Sequence, residues 1–323
     1  MMKESRLKTL LGIQYPIIQA SMVWLNSAEL AAAVSSAGGL GVLGPNAGQS
    51  DVTHDGEEAA RRMREQIRKT RTLTDRPFAV NYLLPIAGLE LSTKYAAPLY
   101  RILKEENVRI VITSGDNTEE GDRQIRRFKK EGFIVIHRDL SPTVGSAIHA
   151  ESLGVDALIV TGHEAGGHLS EHRVSTLAHV PQVTAAVSIP VIAAGGIIDG
   201  RGVKAAFGMG AEGVYMGTRF ITVTESPANA RTKALLVNTK SEDLVELETP
   251  VGTMKTIPTG HEVAFGVTDP VKIGQRYIGG IKRGMLDGDI ETGFITVSEA
   301  VGGISSIKTS KEVIDEIVKV AFA

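Results

Sequence analysis

Thr161-Gly162-His163-Glu164-Ala165-Gly166-Gly167-His168, followed further along by Ala193-Ala194-Gly195-Gly196-Ile197 and then by Met216-Gly217-Thr218-Arg219, decides the fold. Each block closes a short, apolar, β-branched run, at 157–161, 191–194 and 213–216, and each ends in glycine and polar residues. Working outward, five more such runs stand at 16–20, 40–43, 78–82, 109–113 and 133–137. Segments with apolar residues at helical spacing separate them, at 27–37, 56–69, 89–104, 119–131, 142–153, 175–186 and 202–209. Strands alternating with helices pair in parallel through right-handed crossovers. Eight such units predict an α/β fold, a closed TIM (β/α)8 barrel. A doubly wound open sheet is the second choice, since it has fewer strands and needs a switch point.

The rhythm breaks after Phe220. Residues 222–284 are more polar, with helical pattern at 229–239 and turn-rich patches at Thr249-Pro250-Val251-Gly252 and Thr259-Gly260-His261. They are expected to form a small appended lid or substrate domain. The barrel is expected to comprise residues 1–221 with the C-terminal part from about 285 to 323, whose helical stretch 311–321 packs back on it.

Composition narrows the chemistry. With 42% hydrophobic and 22% charged residues, the 323-residue chain has the material for a large core. The net charge of −2 and the lack of a dense Lys/Arg run argue against nucleic acid and for small-molecule partners. No cysteine is present, which removes disulfides, thiolate metal sites, iron–sulfur clusters and cysteine nucleophiles. The charged start, Met1-Met2-Lys3-Glu4-Ser5-Arg6, and the absence of a long apolar run predict a cytoplasmic protein without membrane contact. A homodimer is compatible with these features.

Barrels of this kind carry their chemistry in the loops after the strands, and often grip phosphate after the seventh and eighth. Gly195 and Gly196 follow the seventh run, and Gly217 and Thr218 follow the eighth. Backbone N–H groups can approach phosphate there with no Cβ in the way. The bland alternative, glycines that only make tight turns, is weakened by their occurrence at adjacent strand ends.

After the sixth run, His163 and His168 lie five apart around a glycine pair. A helical zinc motif needs histidines four apart on one face, so no metal is expected. Gly166 and Gly167 are instead expected to let the chain pass under a flat cofactor, leaving His168 in the barrel mouth. Imidazole titrates near neutrality and suits proton transfer. The competing reading is a structural loop histidine.

Ala20, Ser21 and Met22 end the first run and are expected to approach a ring, with core packing the alternative. Asn81, near the end of the third run, could bond a heterocycle or cap a turn. The ends Thr113-Ser114-Gly115 and His137-Arg138 are polar too.

These blocks, with Pro16-Ile17-Ile18-Gln19, Ala37-Gly38-Gly39-Leu40-Gly41, Pro77-Phe78-Ala79-Val80-Asn81 and Asp199-Gly200-Arg201-Gly202, resemble the nitronate monooxygenase family, formerly called 2-nitropropane dioxygenases. Flavin-type enoyl-acyl carrier protein reductases belong to the same superfamily. The resemblance runs over residues 8–225, with a weaker echo at 284–304. It implies non-covalent FMN, with phosphate held at Gly195-Gly196 and Gly217-Thr218. It also implies ring contacts around Ala20 to Met22 and Asn81, and a catalytic histidine at His168; His163 receives no catalytic role. Ala20-Ser21 departs from the commoner small-residue pair ending in proline or glycine. A barrel with a similar glycine pair, inosine monophosphate dehydrogenase, attacks with cysteine, which this chain lacks.

The expected activity is oxidation of alkyl nitronates by oxygen to carbonyl compound and nitrite. The alternative is an NAD(P)H-dependent enoyl-acyl carrier protein reductase, or an NADH:quinone reductase, using the same FMN and histidine. A barrel that merely binds a phosphorylated ligand is the non-enzymatic alternative.

Overall fold

The computed structural model describes residues 5–85, 90–249, 252–259 and 279–322. Pro250, Val251, Gly260 and His261, named above in turn patches, lie outside them.

The eight expected runs are all strands: β1 (Ile17–Gln19), β2 (Gly41–Leu43), β3 (Phe78–Leu83), β4 (Ile110–Ser114), β5 (Ile134–Arg138), β6 (Ala157–Thr161), then, after a two-residue strand β7 (Gly167–His168), β8 (Val191–Ala194) and β9 (Gly213–Met216). They form one parallel sheet in the order β1-β9-β8-β6-β5-β4-β3-β2. The amide of Leu40 donates to Ile17 O (2.9 Å) and that of Gln19 to Leu40 O (3.0 Å), joining the two ends of the sheet. The fold is a TIM barrel.

Strand alternation explains its two apolar layers. Ile18, Ala79, Ile112, Ile136, Ile159, Ile192 and Tyr215 fill the interior. Their neighbours Ile17, Val80, Val111, Val135, Val160, Ala193 and Val214 face the surrounding helices. Burying a branched aliphatic side chain contributes roughly 1.5–3 kcal/mol, so these layers dominate the favourable side of folding. Helix starts are set by side-chain caps: Asp55, Thr118, Ser175 and Asp199 each accept from an amide of the first turn. The C-terminal helix Ser310–Ala321 packs back as expected, placing Val313, Ile314 and Ile317 in the layer around the barrel.

The loop expected after β6 differs from a simple loop. Gly167 and His168 form β7, the edge of an antiparallel sheet with β10 (Val245–Thr249) and β11 (Gly252–Thr256). Nothing local in Gly-Gly-His signals a strand; its pairing partners, Met254 for His168 and Lys255 for Gly167, lie far along the chain, so only the tertiary fold creates it. Trp24, Leu25, Met254, Ile257, Met285, Phe294 and Val297 make a third apolar cluster above the mouth.

One buried histidine belongs to the scaffold. His137, 1% exposed, shares Nδ1 with Thr113 Oγ1 (3.0 Å), and its Nε2 has no partner among the described residues. Burial pushes its pKa down to about 4, against the opposing pull of Asp139 and Asp122. The unfolded chain therefore takes up a proton below about 6.5 that the folded chain refuses until about pH 4. Stability contributed by neutral His137 is complete above pH 6.5 and lost as pH falls toward 4, by as much as roughly 3 kcal/mol. His137→Gln is expected to flatten that limb of a plot of urea-unfolding free energy against pH; an unchanged slope would assign the limb to other groups.

Candidate active site

The C-terminal ends of β1, β5, β6, β8 and β9 surround a cavity of about 240 Å³. Of the residues expected in a site, Ala20, Ser21, Met22, Gly166, Gly167, His168, Gly195, Gly196, Gly217 and Thr218 all line it. Asn81 does not. It is 3% exposed, its Nδ2 donates to Ile112 O (3.0 Å) and Ser114 Oγ (2.8 Å), and it borders a separate cavity of about 60 Å³ with Met63 and Tyr95. The amide donors expected for a heterocycle are thus spent on β4.

Two kinds of glycine shape the β8 and β9 ends. Gly195 and Gly196 have φ of +100° and +71°, which L side chains rarely adopt, and a Cβ on Gly195 would lie 2.9 Å from Gly162 O. Gly217 is different: its φ is −97°, and a Cβ would sit 3.7 Å from Ala20 Cβ and Met22 Sδ, in ordinary contact. The protein itself has room for a side chain there. Because Ala20 and Met22 both line the cavity, the missing Cβ widens the cavity rather than relieving a clash. A phosphate group fits this cradle: there is space at Gly217, and next to it Thr218 and Arg219 open the short helix Thr218–Ile221, whose Phe220 and Ile221 amides donate to Gly217 O (2.8 and 3.2 Å).

The β6 loop is held from three directions. Glu164 accepts from the amide and hydroxyl of Thr176, both at 2.8 Å, and its carbonyl accepts from Ser298 Oγ (2.6 Å) and Glu299 N (3.1 Å). Gly166 passes so close to the C-terminal return that a Cβ would meet Val297 C at 2.4 Å. The backbone of His168 pairs with Met254, and Leu169 N donates to Thr253 O at 2.9 Å. The result is a half-buried histidine on the cavity wall whose backbone is held in place.

His163 turns elsewhere. Its Nε2 lies 2.7 Å from Glu246 Oε1, and the buried Lys255 ammonium reaches His163 O (2.8 Å), Glu299 and Glu246. Ligand atoms of His163, Glu246 and Glu299 do fall within 4.8 Å of one another. Both carboxylates already face protein cations, however: Glu299 the Lys255 ammonium, and Glu246 that ammonium at 3.7 Å and Arg173 Nη1 at 3.3 Å.

The β1 loop is tied by Ala20 N to Met216 O (2.8 Å), Met22 N to Asn26 Oδ1 (2.6 Å) and Ser21 N to Tyr215 Oη (2.6 Å). Trp24 has φ of +68°, unusual for a bulky residue, and full burial in the upper apolar cluster offsets that strain.

Arg138, Tyr215 and Ser298 are among the lining residues that the sequence reading did not name as site residues. Arg138 Nε donates to Thr161 Oγ1 (3.3 Å) and has no carboxylate partner among the described residues. Burial pushes the Tyr215 phenol up in pKa, against the pull of Arg138, so it stays a neutral donor. Strand alternation could have placed Tyr215 in the mouth two residues before Gly217. Ser298 had no local signal beyond the faint resemblance at 284–304.

Comparison with known proteins follows this geometry. The family model described as nitronate monooxygenase matches residues 4–319. A Staphylococcus aureus protein named "Probable nitronate monooxygenase" is 33% identical over 76% of this chain and 75% of its own length. A Rhodococcus jostii protein named (3aS,4S,5R,7aS)-5-hydroxy-7a-methyl-1-oxo-octahydro-1H-indene-4-carboxyl-CoA dehydrogenase is 39% identical over 68% of this chain, and that match spans only 56% of its length. The structure of FabK from Thermotoga maritima superposes with a TM-score of 0.86 at 33% identity, covering 99% of this chain and 96% of that one. Among the described residues no helix is long and apolar enough to cross a membrane.

Proposed function

This chain belongs to the nitronate monooxygenase family and is a flavin-dependent oxidoreductase; from that premise we propose that it binds FMN and oxidises alkyl nitronates with oxygen, with His168 handling the substrate's proton. The observation that carries the reading is one cavity lined both by His168 and by the Gly195-Gly196 and Gly217-Thr218 loops.

Gly195, Gly196, Gly217 and Thr218 would hold the phosphate, and Ala20, Ser21, Met22, Gly166 and Gly167 the edges of the ring. FMN, when bound, would supply the redox chemistry between substrate and oxygen. His168 removes the α-proton of a neutral nitroalkane, or as imidazolium holds the anionic nitro group of a nitronate. Arg138 and Tyr215 add donors at the cavity floor, which favours electron-rich oxygen there. Val23, Leu25, Ile221, Ile281 and Met285 form the apolar side of the cavity, where an alkyl group displaces water.

A second reading is favoured by the match to FabK over nearly the whole chain. As an NAD(P)H-dependent enoyl-thioester reductase, the same site would place His168 to protonate the α-carbon after hydride reaches the β-carbon. The carboxyl-CoA in the name of the Rhodococcus relative points the same way.

Wild-type protein loaded with FMN and given propyl-2-nitronate without nicotinamide is expected to consume oxygen and release nitrite. Rapid anaerobic bleaching of the flavin by NADH, with no oxygen uptake on nitronate, would establish the reductase instead. Protein that stays colourless after FMN is added would remove both readings.

A further inference from the structure

We propose that Ser298 is a positioning residue for the cofactor's phosphate, pinning the two phosphate loops and the His168 loop at one spacing. The inference rests on the FMN reading above and adds a part of the chain that no strand of the barrel supplies.

Ser298 is 7% exposed and lines the cavity. Its hydroxyl donates to Glu164 O (2.6 Å) in the His168 loop and accepts from Gly196 N (3.3 Å) in the β8 loop. Its amide donates to Thr218 Oγ1 (2.9 Å) in the β9 loop. One residue thus bonds to all three loops, across sequence separations of 134, 102 and 80 residues.

The details of those bonds favour a bound phosphate. The contact from Gly196 N is at the long edge of hydrogen bonding, so that amide is weakly committed and free to turn toward an anion. The Ser298 amide occupies an acceptor position of the Thr218 hydroxyl. Thr218 makes no other side-chain bond among the described residues, so its own proton is left to point into the cavity as a donor. The close approach of Gly166 to Val297 and Ser298 removes slack between the loops.

A comparison of FMN with riboflavin tests the role, since the two differ only in the phosphate. In Ser298→Ala, FMN dissociation is expected to rise about tenfold, the worth of about one net hydrogen bond. Riboflavin dissociation should rise by no more than about threefold, because the phosphate-free ligand meets only the ring-side Gly166-Gly167 loop and neither phosphate loop. Ser298→Thr, which keeps the hydroxyl, should restore FMN to within about threefold of wild type. Unchanged FMN binding by the alanine variant, or a parallel loss of FMN and riboflavin, would overturn the proposal. A wild type that does not distinguish the two flavins would instead strike at the cofactor reading itself. Should the alanine variant not fold, Ser298→Cys, which keeps the volume and weakens the hydrogen bonds, is read against the same two ligands.

Discussion

His168→Ala is expected to retain FMN and to lose on the order of 10²–10⁴-fold in turnover, the usual worth of a positioned general acid or base. Cofactor retention follows from the architecture. The phosphate loops come from β8 and β9, and the His168 backbone is held by pairing with Met254, which an alanine preserves. The imidazole is the part removed, and proton transfer is what it supplies. The check is paired: flavin absorbance of the purified variant, and oxygen uptake on a nitroalkane near neutral pH. Added imidazole should recover part of the rate by entering the space left. Turnover within about threefold of wild type would take His168 out of the mechanism, since no general acid–base contribution is that small.

Gly217→Val separates the cradle from the fold. With φ at −97° and the nearest would-be Cβ contacts at 3.7 Å, the apoprotein has room for a side chain at this position. The added side chain starts beside Ala20 and Met22, which line the cavity, and takes up space there. Overpacking of a fitted ligand costs about 1–3 kcal/mol, so FMN affinity should fall roughly 10- to 100-fold. Thermal unfolding of the apoprotein should shift by only a few degrees, as expected for changes near or below about 1 kcal/mol. The contrast is Gly195, where a positive φ and backbone at 2.9 Å make any side chain a folding defect as well. A Gly217→Val variant that binds FMN as tightly as wild type would place the phosphate elsewhere.

How legible the site was depends on the reach of each interaction. Gly195, Gly196, Gly217 and Thr218 could be read because they sit directly after strands, where barrel geometry dictates a mouth. His168 could be read as the end of the glycine-rich segment that follows β6, and it does line the cavity. Asn81 misled: it too stands near a strand end, but its amide donors go to the neighbouring strand, a choice invisible without knowing that Ser114 lies 2.8 Å away. Arg138 and Ser298 were passed over as site residues for a related reason. Each matters through what surrounds it, in one case the absence of a carboxylate, in the other three loops met at once.

The sequence by itself determined the barrel and its active end, because period-two apolar runs separated by helical pattern have one economical closed arrangement and glycines mark the turns at its mouth. Only the tertiary structure decided that Gly167-His168 is a strand, that Lys255 lies between Glu246 and Glu299, and that Ser298 bonds to the β6, β8 and β9 loops. The physical reason is range. Backbone pattern and turn chemistry act over a few residues, whereas the Ser298 bonds join segments 80 or more residues apart, and their partners exist only once the chain has folded.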